Sequence, residues 1–257
     1  MEFTGFDKDF RLDGKVAVIT GAAKGIGYAI AMLFAEKGAD LVLVDMVSEE
    51  TIAAAQAVVG LGRRCQKLIL DIVEPNSAST IAQSALRQFS TIDILVNNAG
   101  VVLLDDAESL TEDYWDKTMA INLKAPFLIA QAVGREMIRN RQGKIINIAS
   151  QAGMIALDKH VAYCSSKAAI IEMTKVLALE WGEFNINVNA ISPTVVLTEL
   201  GRKAWAGEVG EQFKKKIPIG RFAYPEEIAA AALYLASEAA DMVTGSNLVI
   251  DGGFTAQ

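Results

Sequence analysis

The stretch KVAVITGAAKGIG, residues 15–27, runs from a short apolar segment straight into three glycines. Its first half is nearly continuous in β-branched and apolar residues. That suits a strand buried on both faces of a parallel sheet. Gly21, Gly25 and Gly27 follow. Glycines there permit a tight turn and let backbone approach a pyrophosphate closely, while the helix behind presents free N–H groups and the positive end of its dipole. The order is G-x-x-x-G-x-G rather than G-x-G-x-x-G, so the weight rests on context: strand, glycine turn, helix, the opening of a βαβ unit. Lys24 and Ile26 lie inside the turn and join the three glycines as candidate dinucleotide contacts.

Similar apolar runs recur along the chain: DLVLVD (40–45), QKLILD (66–71), IDILVNN (92–98), GKIINIAS (143–150), NINVNAIS (185–192) and SNLVID (246–251). Helical patterns separate them at 25–37, 48–59, 75–89, 111–139, 158–180 and 225–236. Seven strands alternating with helices predict an α/β fold of Rossmann type, a doubly wound seven-stranded parallel sheet with helices on both faces. With no Pro/Gly/Ser-rich linker and no internal repeat, residues 1–257 are expected to form one dinucleotide-binding catalytic domain. Residues 199–220 break the alternation with Trp205, glycines and the run KKK (214–216). A substrate loop or lid is expected over about 194–220.

Composition narrows the function. The chain has 257 residues, of which 52% are hydrophobic and 21% charged, enough for a sizeable core. A net charge of −7 argues against nucleic acid and anionic membrane as partners. No run reaches the ~18 apolar residues of a membrane span. The first fifteen residues lack the apolar core of a signal peptide, so a soluble cytoplasmic protein is expected. Cys65, Cys164 and the single histidine, His160, are too few for a disulfide framework or a metal centre.

Asp45 closes the second apolar run twenty residues after Gly25. A carboxylate there accepts both ribose hydroxyls of NAD and repels the 2′-phosphate of NADP. Lys24 could pair with that phosphate, but the carboxylate stands where the phosphate must go. NAD is therefore the expected cofactor.

T-G-x-x-x-G-x-G at 20–27, N-N-A-G at 97–100, Ser150 at a strand end and Y-x-x-x-K at 163–167 occur in order. From Asp13 to Gly253 the sequence resembles the short-chain dehydrogenase/reductase family. The resemblance implies a tetrad of Asn122, Ser150, Tyr163 and Lys167. The chemistry is intelligible: free tyrosine has a pKa of ~10, and a lysine one helical turn on would favour the phenolate and lower that value. Tyr163 could then act as general acid and base, with Ser150 stabilising charge on the substrate oxygen. By resemblance, Lys167 also holds the nicotinamide ribose and Asn122 a water of the proton relay. The resemblance further implies adenine contacts at Asp71, ending the third strand, and at Ile72, with Asn98, Ala99 and Gly100 lining the cofactor side of the fourth. It places Pro193, Val196 and Thr198 of S-P-T-V-V-L-T (192–198) near the nicotinamide carboxamide. Thr194 there replaces the family's glycine.

That departure, with S-Q at 150–151, H-x-x-Y-C-S-x-K at 160–167 and Trp205, is similar to the L-xylulose reductase-like subgroup and related bacterial sugar-alcohol dehydrogenases. There the matching residues Gln151, His160 and Trp205 line the substrate pocket with Ser150 and Tyr163. His160 and Tyr163 would share a face if both are helical. A polyol offers one hydroxyl per carbon and needs several polar partners. The expected function is NAD-dependent hydride transfer between a secondary alcohol and a ketone, a sugar alcohol/ketose pair first. Reduction of a 3-oxoacyl carrier-protein thioester and a non-catalytic NAD-binding sensor are the alternatives. The resemblance also implies a homotetramer built on helices 111–139 and 158–180 and on the last strand.

Overall fold

A computed structural model describes residues 5–256. The first strand, β1 (Val16–Thr20), is buried along its whole length. Ala17 and Ile19 enter one core and Val16 and Val18 the other, which is why the run is continuous rather than alternating. Burying each such Val or Ile is worth about 1.5–3 kcal/mol. The chain continues through α1 (Gly25–Glu36), β2 (Asp40–Asp45), α2 (Ser48–Gly60), β3 (Cys65–Ile69), α3 (Ser77–Phe89) and β4 (Ile94–Asn97). It then adds α4 (Glu112–Met119), α5 (Ala125–Asn140), β5 (Gly143–Ile148), α6 (Val161–Trp181) and β6 (Ile186–Pro193). Two short helices, α7 (Glu199–Ala204) and α8 (Glu208–Lys214), precede α9 (Pro225–Ala236) and β7 (Asn247–Ile250).

The seven strands form one sheet in the order β3-β2-β1-β4-β5-β6-β7, and every pairing is parallel. Apolar residues of α1, α2 and α9 cover one face, and those of α3, α5 and α6 the other. After β3 the chain crosses back to the far side of β1. The strand order therefore reverses between β1 and β4, and a crevice opens at their C-terminal ends, where ligands bind in sheets of this kind. The outer strands β3 and β7 are only half-buried, so those two runs are edges rather than interior strands.

Three boundaries differ from the sequence reading. The third strand stops at Ile69, and Asp71 lies beyond it. Asp71 opens a turn instead: its Oδ1 accepts from Val73 N at 3.1 Å and its carbonyl from Ser77 Oγ at 2.6 Å. The helix expected over 111–139 contains a π-helical stretch, Ala120–Lys124. Pro126 has no N–H for the carbonyl of Asn122 four residues back, and the helix widens there. The helix expected from 158 begins at Val161, with His160 at its N-cap, φ −108° and ψ 24°. His160 is thus outside the helix.

Asp40, at the start of β2, is a buried carboxylate that ties the sheet to the turn before β3. It accepts from Arg64 N at 2.9 Å, Arg64 Nε at 2.8 Å and Arg63 Nη2 at 3.1 Å. Burial alone would raise its pKa; the Arg64 hydrogen bonds and the two guanidinium charges outweigh that and hold it below the usual carboxylate value. A depressed folded-state pKa gives stability that is present above the unfolded pKa and lost as pH falls through the folded one. Asp40→Asn should cost about 1–3 kcal/mol at pH 7 in urea denaturation. The gap to wild type should narrow below about pH 4, where the wild-type carboxylate also takes up a proton. A gap independent of pH would show that the charge of Asp40 contributes nothing.

Candidate active site

The glycine turn is fixed from beneath by β4. Asn98 Nδ2 donates to Thr20 O at 3.0 Å and Gly21 O at 2.9 Å. Thr20 Oγ1 accepts from Asn98 N at 3.1 Å and Ala99 N at 3.2 Å. A Cβ at Gly27 would stand 2.1 Å from Gly21 O, so no larger residue fits this turn. Gly25 has φ +61°, and a Cβ there would press on Thr198 Cγ2 at 3.0 Å. No side chain caps the N-terminus of α1. Its first-turn N–H groups are available to an anion, and the surrounding backbone is bare enough for close approach. Residues 21–27 therefore suit a dinucleotide pyrophosphate. Ile26 is half-buried at the start of α1.

Asp45 bridges this turn and its own. Its Oδ2 accepts from Ala23 N at 3.0 Å and its Oδ1 from Val47 N at 3.2 Å. A carboxylate has about four acceptor sites, so two remain for ribose hydroxyls. Lys24 is exposed. The Glu199 carboxyl is held below its usual range first by Lys203 and then by the charge of Lys24. The start of the 194–220 segment thus faces the glycine turn. Ile72 and Asp71 sit in the turn after β3, both half-buried. A Cβ on Gly100 would lie 3.2 Å from Asn122 Oδ1 and 3.7 Å from Lys167 Nζ, which puts the end of β4 beside two of the tetrad positions.

The structure brings all four tetrad residues together. Asn122, in the π-helical stretch, is buried. Its Oδ1 accepts from Val101 N at 2.8 Å, and its Nδ2 donates to Val101 O at 2.9 Å and Ser166 Oγ at 3.2 Å. The Asn122 side chain is thus occupied in fixing the loop after β4. Ser150 Oγ accepts from Ala152 N at 3.1 Å, and Ser150 lies close enough to the Tyr163 phenol to lower its pKa. Lys167 is 5% exposed; its Nζ donates to Ile148 O at 2.8 Å and lies 5.7 Å from the Tyr163 ring centre.

The pKa of Tyr163 moves opposite to the sequence expectation. Burial pushes the phenol up, and the Ser150 hydrogen bond only partly offsets this. Burial also brings the Lys167 ammonium down to about 8. Lys167 does not overcome the desolvation of the phenol, because the same low-dielectric surroundings disfavour both charges.

On the substrate side, Gln151 follows Ser150 in a short 3₁₀ turn and is buried. The His160 and Tyr163 rings meet edge-on at 6.0 Å although only Tyr163 is helical. The His160 Nδ1 bonds Asp158 O. Trp205 caps the end of α7 and packs 4.6 Å from Phe213 and 6.0 Å from Phe222; Phe213 stacks on Phe254 at 5.1 Å. This aromatic stack draws on three separate segments, around residues 205–213, 222 and 254, which no local pattern links. Pro193 ends β6, Val196 bridges to Ala223, and Thr198 caps α7 by accepting from Gly201 N at 3.1 Å. Sequence reasoning also passed over the side chain of Thr194, which is buried here. Cys164 points its Sγ at Ile155 O, 3.8 Å away. Among the described residues no cluster of His, Cys, Asp and Glu could hold a metal ion.

A family model described as enoyl-(acyl carrier protein) reductase matches residues 21–255. An NAD-dependent glycerol dehydrogenase of Listeria innocua is 59% identical over 99% of both chains. A D-threitol dehydrogenase of Mycolicibacterium smegmatis is 53% identical over 97% of this chain and 96% of its own. The crystal structure of an NAD+-bound xylitol dehydrogenase matches with a TM-score of 0.90 at 31% identity, over 94% of this chain and 99% of that one.

Tyr163→Phe removes the phenol and keeps the ring. It should lower turnover by at least about a hundredfold while NAD affinity, read by fluorescence titration, stays near wild type. Lys167→Met should lower both turnover and NAD affinity. A Tyr163→Phe enzyme within about tenfold of wild type would place the proton transfer elsewhere.

Proposed function

The chain belongs to the short-chain dehydrogenase/reductase family, and from that premise we propose that it interconverts a small polyol and its ketose or hydroxyketone with NAD. It is an oxidoreductase acting on an alcohol/ketone pair with a nicotinamide cofactor. The observation that carries the polyol reading is near-full-length identity, 59% and 53%, to relatives named for glycerol and threitol. Asp45, with half its acceptor sites free beside the glycine turn, supports NAD over NADP.

NAD, when bound, accepts the hydride from the alcohol carbon. The chain's own residues handle the oxygen and its proton. Ser150 would hold the substrate oxygen, and Tyr163 would take the hydroxyl proton. Lys167 would favour the phenolate and hold a ribose hydroxyl, while the Gly21–Gly27 turn, Asp45, Pro193, Val196 and Thr198 would orient the cofactor. Asn122 would keep the loop after β4 in register with Lys167. Gln151, His160 and Trp205 would read the remaining hydroxyls, with residues 194–220 as a lid over one catalytic domain. The glycerol- and threitol-named relatives favour this over reduction of a carrier-protein thioester. The assembled Ser150, Tyr163 and Lys167 favour turnover over a non-catalytic sensor.

A homotetramer is part of the proposal. Val176 and Leu179 on α6 and Phe127 and Leu128 on α5 are exposed apolar residues, with Leu179 at 84%; pairing across a two-fold axis would cover them. A cytoplasmic location accords with the net charge of −7 and with small-molecule chemistry. No helix among the described residues is long and apolar enough to cross a membrane.

A panel of glycerol, tetritols and pentitols, followed at the nicotinamide absorbance with NAD and NADP, tests the function. Polyol oxidation with NAD preferred is expected, and better kcat/KM with NADP would overturn the reading of Asp45. In the same panel His160→Ala should lower polyol kcat/KM by about ten- to a hundredfold and spare a simple secondary alcohol. Equal losses would make His160 structural. Light scattering should give four times the 27.5 kDa chain mass, and a monomer at micromolar concentration would reject the assembly.

A further inference from the structure

Among the described residues Asn97 Oδ1, at the end of β4, is buried without a hydrogen-bond partner, and so are two atoms beyond the ends of β5 and β6, Gln151 Oε1 and Thr194 Oγ1. Gln151 and Thr194 are 3% and 8% exposed. Buried polar groups are nearly always paired, and an unpaired one is costly. Gln151 directly follows Ser150, and a ligand would supply the missing partners.

Their placement supports a shared partner. β5 and β6 run parallel with Ile148 opposite Ile191. Gln151 and Thr194 both lie just beyond the C-terminal ends of these neighbouring strands. Even-numbered side chains of β6 face α6. Val188 joins the core that Leu177 and Ala178 of α6 share, and Ala190 packs with Ile170. Ser192 donates to Asn247, whose amide reaches the Met154 sulfur. Alternation carries Thr194 to the same face, where residues 151–154 and the helix bearing Tyr163 and Lys167 lie.

A hydroxyl both donates and accepts. One ligand hydroxyl could accept from Thr194 and donate to Gln151, satisfying both orphan atoms at once. We propose that Thr194, together with Gln151, binds a hydroxyl of the substrate other than the one being oxidised, and so selects polyols over simple alcohols. This rests on the polyol reading above. Thr194 occupies the position at which the resemblance expects glycine, which has no hydroxyl to offer.

Thr194→Val keeps the shape and deletes the hydroxyl. Its polyol kcat/KM should fall about tenfold or more, while butan-2-ol turnover and NAD affinity stay within about twofold of wild type. The thermal midpoint of the ligand-free variant should hold or rise, because an unpaired polar atom has been removed. Thr194→Ser should retain polyol activity. Unchanged polyol turnover in Thr194→Val, or equal losses on polyol and butan-2-ol, would overturn the assignment. A matching loss of NAD affinity would also overturn it and give the two atoms to the nicotinamide carboxamide instead. A wild-type enzyme that oxidises butan-2-ol and no polyol would sink the polyol reading itself. Polyol turnover that survives in Thr194→Val would sink only the role of Thr194.

Discussion

The amide of Asn98 joins the two strands between which the sheet changes direction. It donates to Thr20 O and Gly21 O, so the end of β4 and the glycine turn after β1 form one rigid floor. Everything that acts in this enzyme is positioned from that floor. The turn holds Ala23 against Asp45. The residues after Asn98 bring Gly100 against Asn122 and Lys167. A slip of one residue here would shift the cofactor cradle against the proton-transfer groups, because the β1–β4 pairing and these bonds tie the two together.

The tetrad is a balance of burial against hydrogen bonds. Desolvation disfavours the charged forms of both Tyr163 and Lys167. Ser150 pulls the Tyr163 pKa the other way, and only in part. The free site is therefore closer to neutral than the Tyr-Lys spacing suggests, and a phenol raised above its ordinary value stands further from the pKa of an efficient base near physiological pH. Lys167 finds its partner in a backbone carbonyl rather than a carboxylate, so its charge stays available.

The interior strands and the glycine turn were legible because their constraints are local: a strand buried on both faces must be apolar throughout, and the turn has no room for a Cβ. Ser150, Tyr163 and Lys167 came from the family resemblance, and the fold brings them together because Ser150 follows β5 and the other two stand one helical turn apart on α6. Most of the misses have a tertiary cause. His160 fell outside its helix although the apolar pattern continued through it. The π-helical stretch had a sequence cue in Pro126, unused because periodicity ran across it. The upward shift of the Tyr163 pKa and the stacking of Trp205 depend on what the rest of the chain buries around them. The orphan atoms of Gln151 and Thr194 depend on an absence of partners, and spacing cannot report that.

Lys167 carries a consequence for measurement. Its ammonium is buried, has a pKa brought down to about 8, and meets only a neutral carbonyl. Near that pH a share of the molecules lacks this proton. Any ligand oxygen that accepts from Nζ favours the charged form and draws a proton out of the medium on binding. The heat of binding then includes the ionisation enthalpy of whichever buffer supplied that proton. Titration calorimetry in phosphate and in Tris would return different enthalpies for the same contacts, and the difference would count the net protons taken up on binding, Lys167 among the groups that take them, before any hydride moves.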